Sequence, residues 1–328
     1  MKYRVLGRTG LQVSELGVGG HEYRRPLPTT LGRWGDIDAD QFTQTQPERN
    51  RVIQRAVEEG VTFFDATQPE ETKSLGLALQ ALGVKDDVHV ALMILTPFSK
   101  LAGRPKSEWR QIIRADVEKS LRLLQRDYAD VLNMHMPERD YSRERLLVTL
   151  EVLEQLKDEG KIGFIGASSH ELCFLSEVMR QHDCFDSVMI RYNYHLQEAR
   201  DVVFPLAKAL EVGVVVMKPL AWPYYGIPFT RFAPGDGEGG VATPAQHGLR
   251  WILNSPEVTT LVPGMNNLAE LDENLAAITT DAQVDEALLA RCLKTALGPD
   301  ARECLTTLLR DPAVDTRYFA KRALADKP

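Results

Sequence analysis

The stretch VTFFDATQPEETKSLGLALQALG, residues 61–83, decides the fold. Its first part, VTFFDA (61–66), is short and apolar on both faces, as suits a strand covered on each side. Its last part, KSLGLALQALG (73–83), repeats apolar residues at helical spacing and stops on a glycine. Between them Gln68, Pro69, Glu70 and Glu71 read as a loop. A strand that ends on Asp65 before such a loop places a carboxyl at the mouth of an α/β fold.

The same strand-then-helix unit recurs outward in both directions. Upstream stand ELGVGG (15–20) and the helix PERNRVIQRAVEEG (47–60). Downstream the strands are DVHVALMI (87–94), DVLNMH (130–135), IGFIGAS (162–168), DSVMIRYN (186–193), VGVVVMKPL (212–220) and VTTLVPG (258–264). Helical patterns follow them, among them residues 106–126, 143–161, 171–181, 201–213, 243–254 and 268–278. Repeated βα units with doubly buried strands predict a closed (β/α)8 TIM barrel rather than an open sheet. YRVLG and QVSEL flank the turn RTG and predict an N-terminal β-hairpin. EALLARCLKTAL, ARECLTTLLR and TRYFAKRALA predict extra C-terminal helices from about residue 282 to 328. No linker divides the chain, so residues 1–328 read as a single domain.

Composition narrows the function. A net charge of −7 argues against a nucleic-acid partner, which needs clustered Lys and Arg. No apolar run reaches the roughly 18 residues of a membrane span, and no signal peptide opens the chain. The cysteines Cys173, Cys184, Cys292 and Cys304 lack metal spacing and read as reduced thiols, which implies a cytoplasmic location. Long loops run from Gly20 to about Gln46 and from Ala221 to about Val241, both after strand ends where barrel enzymes build their sites.

LGRTGLQVSELGVGG (6–20), GVTFFDAT (60–67), GKIGFIGASS (160–169) and VPGMNNLAELDENLAA (262–277) appear in that order. On these four motifs the chain resembles the aldo-keto reductase superfamily. The resemblance implies nicotinamide-dependent carbonyl chemistry through an Asp, a Tyr, a Lys and a His. Asp65 fits the aspartate and His135, in LNMHMP, fits the histidine. Glu70 stands where the tyrosine is expected and Met93 where the lysine is expected. The acid and the group that tunes it are both replaced. Without the lysine, Asp65 is expected to hold its proton more tightly. Asp65 and His135, two strands apart at one rim, then form a candidate acid/base set with or without Glu70. Tyr23, in GGHEYRR just after the first strand, is a candidate replacement donor. His21, Glu22, Asp65, Glu70 and His135 have ligand chemistry, but no HxH or HExxH spacing supports a metal.

Cofactor residues also follow from the resemblance. Ser168 and Ser169 match the pair that holds the nicotinamide carboxamide. Met217 stands in place of the stacking tyrosine, Lys218 is positioned to meet the pyrophosphate, and Leu220 follows. Gly264, Asn266, Glu273 and Asn274 belong to the segment around the adenosine end. Met265, Asn266, Asn267 and Glu270 occupy positions that often carry Lys or Arg for a 2′-phosphate. NAD(H) is therefore favoured, with NADP(H) possible. Trp222, Tyr224, Tyr225, Phe229 and Phe232 suit a small, sugar-like substrate or pack under their own loop. The expected function is an oxidoreductase acting on a small carbonyl or alcohol. A lyase or isomerase, or a catalytically silent cofactor-binding protein, are the alternatives. The sequence gives no indication of oligomeric state.

Overall fold

The computed structural model describes residues 1–20, 46–95, 97, 100–221, 223–224, 227–233, 242–279, 283–311 and 314–325. Strands β1 (Tyr3–Val5) and β2 (Gln12–Ser14) pair antiparallel as the predicted hairpin. A parallel sheet then runs in chain order through β3 (Phe63–Ala66), β4 (His89–Ile94), β5 (Ala129–His135), β6 (Ile162–Ser169), β7 (Ser187–Arg191), β8 (Gly213–Met217) and β9 (Val258–Val262). The segment after the hairpin closes this sheet. Leu16 bridges Leu261, Val18 bridges Phe64 and Gly19 bridges Gly264, all in parallel sense. Glycine makes the closure possible. A Cβ on Gly17 would lie 2.8 Å from the Phe63 carbonyl oxygen, and one on Gly19 would lie 2.8 Å from that of Val262. The fold is the predicted (β/α)8 barrel.

The helices are α1 (Gln46–Glu58), α2 (Pro69–Leu82), α3 (Lys106–Leu124), α4 (Arg143–Asp158), α5 (Leu172–Gln181), α6 (Ala199–Val202), α7 (Phe204–Ala209), α8 (Pro244–Leu253) and α9 (Leu268–Thr279). The tail adds α10 (Glu286–Leu297), α11 (Ala301–Leu308) and α12 (Val314–Ala325). Two sequence expectations need correction. The helix expected over 201–213 is two short helices that meet at Val203. Pro205 lacks the N–H that a continuous helix would direct to the Asp201 carbonyl. The loop expected at residues 68–71 is the first turn of α2, with Pro69 at its start. Proline's fixed φ suits that position. The Glu71 carboxylate caps the turn, accepting the Thr67 N–H at 2.9 Å and the Gln68 N–H at 3.1 Å.

The core has two parts. Strand residues of one parity, with the helix faces, fill the layer between sheet and helices. Residues of the other parity, including Phe63, Ala91, Met93, Val131, Met189, Val215 and Val262, fill the barrel interior together with Leu6 and Val13 from the hairpin. The hairpin thus plugs one end. Arg4 fastens it by donating to the carbonyls of Leu253, Ser255 and Val258. Arg8 binds Asp183, Asp186 and the Phe185 carbonyl. These anchors lie before β7 and β9, at the N-terminal ends of the strands. The opposite rim is left for chemistry. Among the described residues no helix is long and apolar enough to cross a membrane.

Candidate active site

Strand alternation decides which side chains reach the open rim. In β3, Phe63 packs inside the barrel, so Asp65 also faces inward. The same parity turns Met93 of β4, His135 of β5, Ser168 of β6, Arg191 of β7 and Met217 of β8 toward the interior. The register sets His135 beside Ser168 and Arg191 beside Met217. Asp65 is 6% exposed and Met93 8%, so both lie just beneath the surface of the mouth. Adjacent strands are about 4.8 Å apart. Asp65 and His135, on β3 and β5 with β4 between them, therefore stand on the same rim, two strands apart.

His135 is half-buried at the end of β5. Burial pushes its imidazole below the ordinary value of 6.5, and Lys218 and Arg139 act in the same direction. The Glu171 carboxylate and a hydrogen bond with the Ser168 backbone oppose the shift. His135 therefore stands as neutral imidazole near neutral pH. Its ring meets His170 edge-on, with centroids 6.0 Å apart.

His170 and Arg191 were not singled out in the sequence. His170 Nε2 lies 3.0 Å from Lys218 Nζ, and the His170 carbonyl accepts from Arg191 Nη2 at 2.6 Å. The signal for His170 was its place directly after Ser168 and Ser169. That for Arg191 was a cation on an otherwise apolar strand. Lys218 has φ +54°, a left-handed conformation that is unusual for a residue with a side chain. Asn193, fully buried, donates to the Lys218 carbonyl at 3.3 Å and holds that turn.

The other predicted residues occupy distinct places. Glu70 is 5% exposed in the first turn of α2, on a helix rather than a free loop. Tyr23, with His21 and Glu22, lies outside the described residues, as do Trp222 and Tyr225. Tyr224 stacks on Phe232 at 5.8 Å, and Phe229 and Phe232 are fully buried, so these aromatics pack under their loop. Ser169 is engaged within the protein: its Oγ lies 2.8 Å from the Met136 carbonyl and accepts the Glu171 N–H at 3.1 Å. Ser168 is the inward-facing member of the pair. Leu220 is nearly buried beside the turn after β8, where its carbonyl accepts the Phe229 N–H at 3.0 Å.

Gly264, Asn266, Glu273 and Asn274 cluster at the turn from β9 into α9. Glu273 Oε1 accepts from Thr243 Oγ1 at 2.6 Å, and Asn274 is buried. Glu270 Oε2 accepts the Asn266 N–H at 2.8 Å and lies 3.2 Å from Asn266 Nδ2. Arg231 Nη2 stands 3.7 Å from the other carboxylate oxygen. The turn thus carries a fixed negative charge beside one guanidinium.

Comparison with known proteins agrees with this architecture. The profile of the Aldo/keto reductase family matches residues 31–225. L-galactose dehydrogenase of Arabidopsis thaliana is 27% identical over 305 residues, covering 85% of this chain and 88% of that protein. Probable aldo-keto reductase 1 of Glycine max is 24% identical, covering 83% of each. A holo-form aldo-keto reductase from Bacillus halodurans superposes with a TM-score of 0.64 at 23% identity, over 90% of this chain and 96% of that one, a likeness of fold. With more than half of its length matched to one family profile, and a closed barrel whose chemistry-bearing side chains gather at the open rim, the chain belongs to the aldo/keto reductase family of oxidoreductases.

Proposed function

We propose that this oxidoreductase uses NAD(H) to interconvert a hydroxyl and a carbonyl on a small, sugar-like molecule, and that it works chiefly as an alcohol dehydrogenase. The observation that carries this reading is His135. An imidazole held below its ordinary value by burial is unprotonated at neutral pH, so it suits a base better than an acid. Alcohol oxidation needs a base at the hydroxyl proton. His135 Nε2 or Nδ1 takes that proton while Asp65, across the mouth, orients the substrate or relays a proton. Glu70 and Tyr23 are the remaining candidates for acid/base work. The likeness to a protein named L-galactose dehydrogenase supports a sugar-like alcohol.

The residues fit a dinucleotide by the chemistry of their donors. Ser168 offers a hydroxyl for the carboxamide, and Met217 a polarizable face for the ring. Lys218 offers a cation, and Asn266, Glu273 and Asn274 suit an adenosine. Ser169 follows Ser168 at the end of β6, Leu220 follows Lys218 in the turn after β8, and Gly264 opens the segment between β9 and α9. When bound, the cofactor supplies the hydride acceptor. Glu270, fixed beside Asn266, disfavours a 2′-phosphate and supports NAD(H) over NADP(H).

The test is NADH formation when the protein is mixed with NAD⁺ and a panel of aldoses, polyols and sugar acids. Turnover with at least one, and weak reduction of generic aldehydes, is the expected result. The lost acid contributes about 10²–10⁴-fold in general acid catalysis. Aldehyde reduction at rates as high as the alcohol oxidation, or no turnover with either NAD⁺ or NADP⁺, would overturn the proposal.

A further inference from the structure

The C-terminal helices reach back to the open rim, where the proposed chemistry gives them no part. α10 packs on the short turn Phe229–Phe232 that follows β8. The Tyr194 hydroxyl donates to the Glu286 carbonyl at the start of α10, at 3.2 Å. On α11, Cys304 Sγ lies 3.6 Å from the Arg231 carbonyl. Just after α11 the Asp311 N–H donates to the Leu308 carbonyl at 3.1 Å, and the Arg317 guanidinium of α12 donates to the Asp311 carbonyl. Asp311 is thereby fixed beside the turn that carries Arg231.

Arg231 stands between two carboxylates from distant parts of the chain. Its Nη2 is 3.7 Å from Glu270 Oε1 on α9, and its Nη1 is 3.9 Å from Asp311 Oδ2. These are ion pairs without hydrogen-bond geometry. The Arg231 side chain is 41% exposed, so an incoming anion can reach it, whereas the Asp311 side chain is only 9% exposed. A guanidinium suits a phosphate well, because it offers paired N–H donors. A 2′-phosphate arriving beside Glu270 would recruit Arg231, and in doing so would draw it away from a shielded carboxylate. Separating such a pair costs more than separating one in open water. We propose that Asp311, brought to the rim by the C-terminal extension, is a specificity-determining residue: by holding Arg231 between itself and Glu270 it keeps that guanidinium from a 2′-phosphate. This rests on the reading of the β9–α9 turn as the adenosine end of an NAD(H) site. The last helices of the chain thus take part in the choice of cofactor.

Fluorescence titration of NADH and NADPH into the full-length protein tests this without turnover. The quantity read is the ratio of the NADPH Kd to the NADH Kd at low salt, where exposed charges are least screened. The proteins are the wild type, Asp311→Asn, Asp311→Glu, Arg231→Met and the double variant Asp311→Asn with Arg231→Met. Asp311→Asn should lower the ratio about two- to fivefold, the scale of one partly exposed ion pair. The change should come from tighter NADPH binding, with NADH little altered. Asp311→Glu keeps the charge and should keep the ratio. In the Arg231→Met background, Asp311→Asn should lose most of its effect, since no guanidinium remains to be released. An unchanged ratio in Asp311→Asn would overturn the proposal and leave Glu270 to act alone. So would an equal fall with and without Arg231, or an equal loss of both cofactors, which would make Asp311 a purely structural residue. A failure of the underlying NAD(H) reading shows separately, as a wild type that binds NADPH as tightly as NADH.

Discussion

Met93 fills the place where the family resemblance leads one to expect a lysine, and it packs among Phe63, Val131 and Met189 inside the barrel. A lysine at 93 would put an ammonium against these apolar neighbours and near both Asp65 and His135. It would have no phenol to tune, because Glu70 occupies the first turn of α2. Met93→Lys is therefore predicted not to restore generic aldehyde reduction, and to lower native activity and shift its acidic limb to lower pH. Asp65→Asn keeps the shape and removes the carboxylate. It is predicted to abolish native activity, as read by steady-state assay on the native substrate. Wild-type rates in Asp65→Asn would make Asp65 a relic. Asp65 and His135 were legible in the sequence because each ends a strand inside a motif. His170 and Arg191 were not, because their proximity to Lys218 depends on the register of three strands.

At the scale of elements, the hairpin and the β9–α9 turn separate stability from recognition. Leu6 is fully buried in the barrel interior, at the end away from the chemistry. Leu6→Ala is predicted to cost about 2–5 kcal/mol in denaturant unfolding while leaving kcat intact. A parallel loss of kcat would show that the plug and the rim are coupled. At the other end, NADH is predicted to bind more tightly than NADPH by roughly 1–3 kcal/mol in fluorescence titration. Glu270→Lys should narrow or reverse that gap. Equal binding in the wild type would point to Arg231, which stands beside Glu270. The βα repeats were legible from apolar patterning, since doubly buried strands leave little choice. The start of α2 was not, because it depends on the reciprocal cap of Gln68 and Glu71 around Pro69. The first barrel strand consists of single bridges because its glycines favour close approach over extended pairing.

Over the whole molecule, one end of the barrel is plugged and pinned by arginines, and the other gathers Asp65, His135, His170, Arg191 and Lys218. In the proposed reaction a neutral, half-buried His135 replaces the acid and its tuner as the working proton group. The pH dependence of kcat/KM for NAD⁺-linked oxidation, in wild type and His135→Gln, tests it most directly. The wild type is predicted to hold a plateau at neutral pH and to lose activity as His135 protonates, with a midpoint below 6.5. His135→Gln should lose about 10²–10⁴-fold and the limb itself. An unchanged limb in His135→Gln, or a wild-type midpoint above the ordinary imidazole value, would contradict the account.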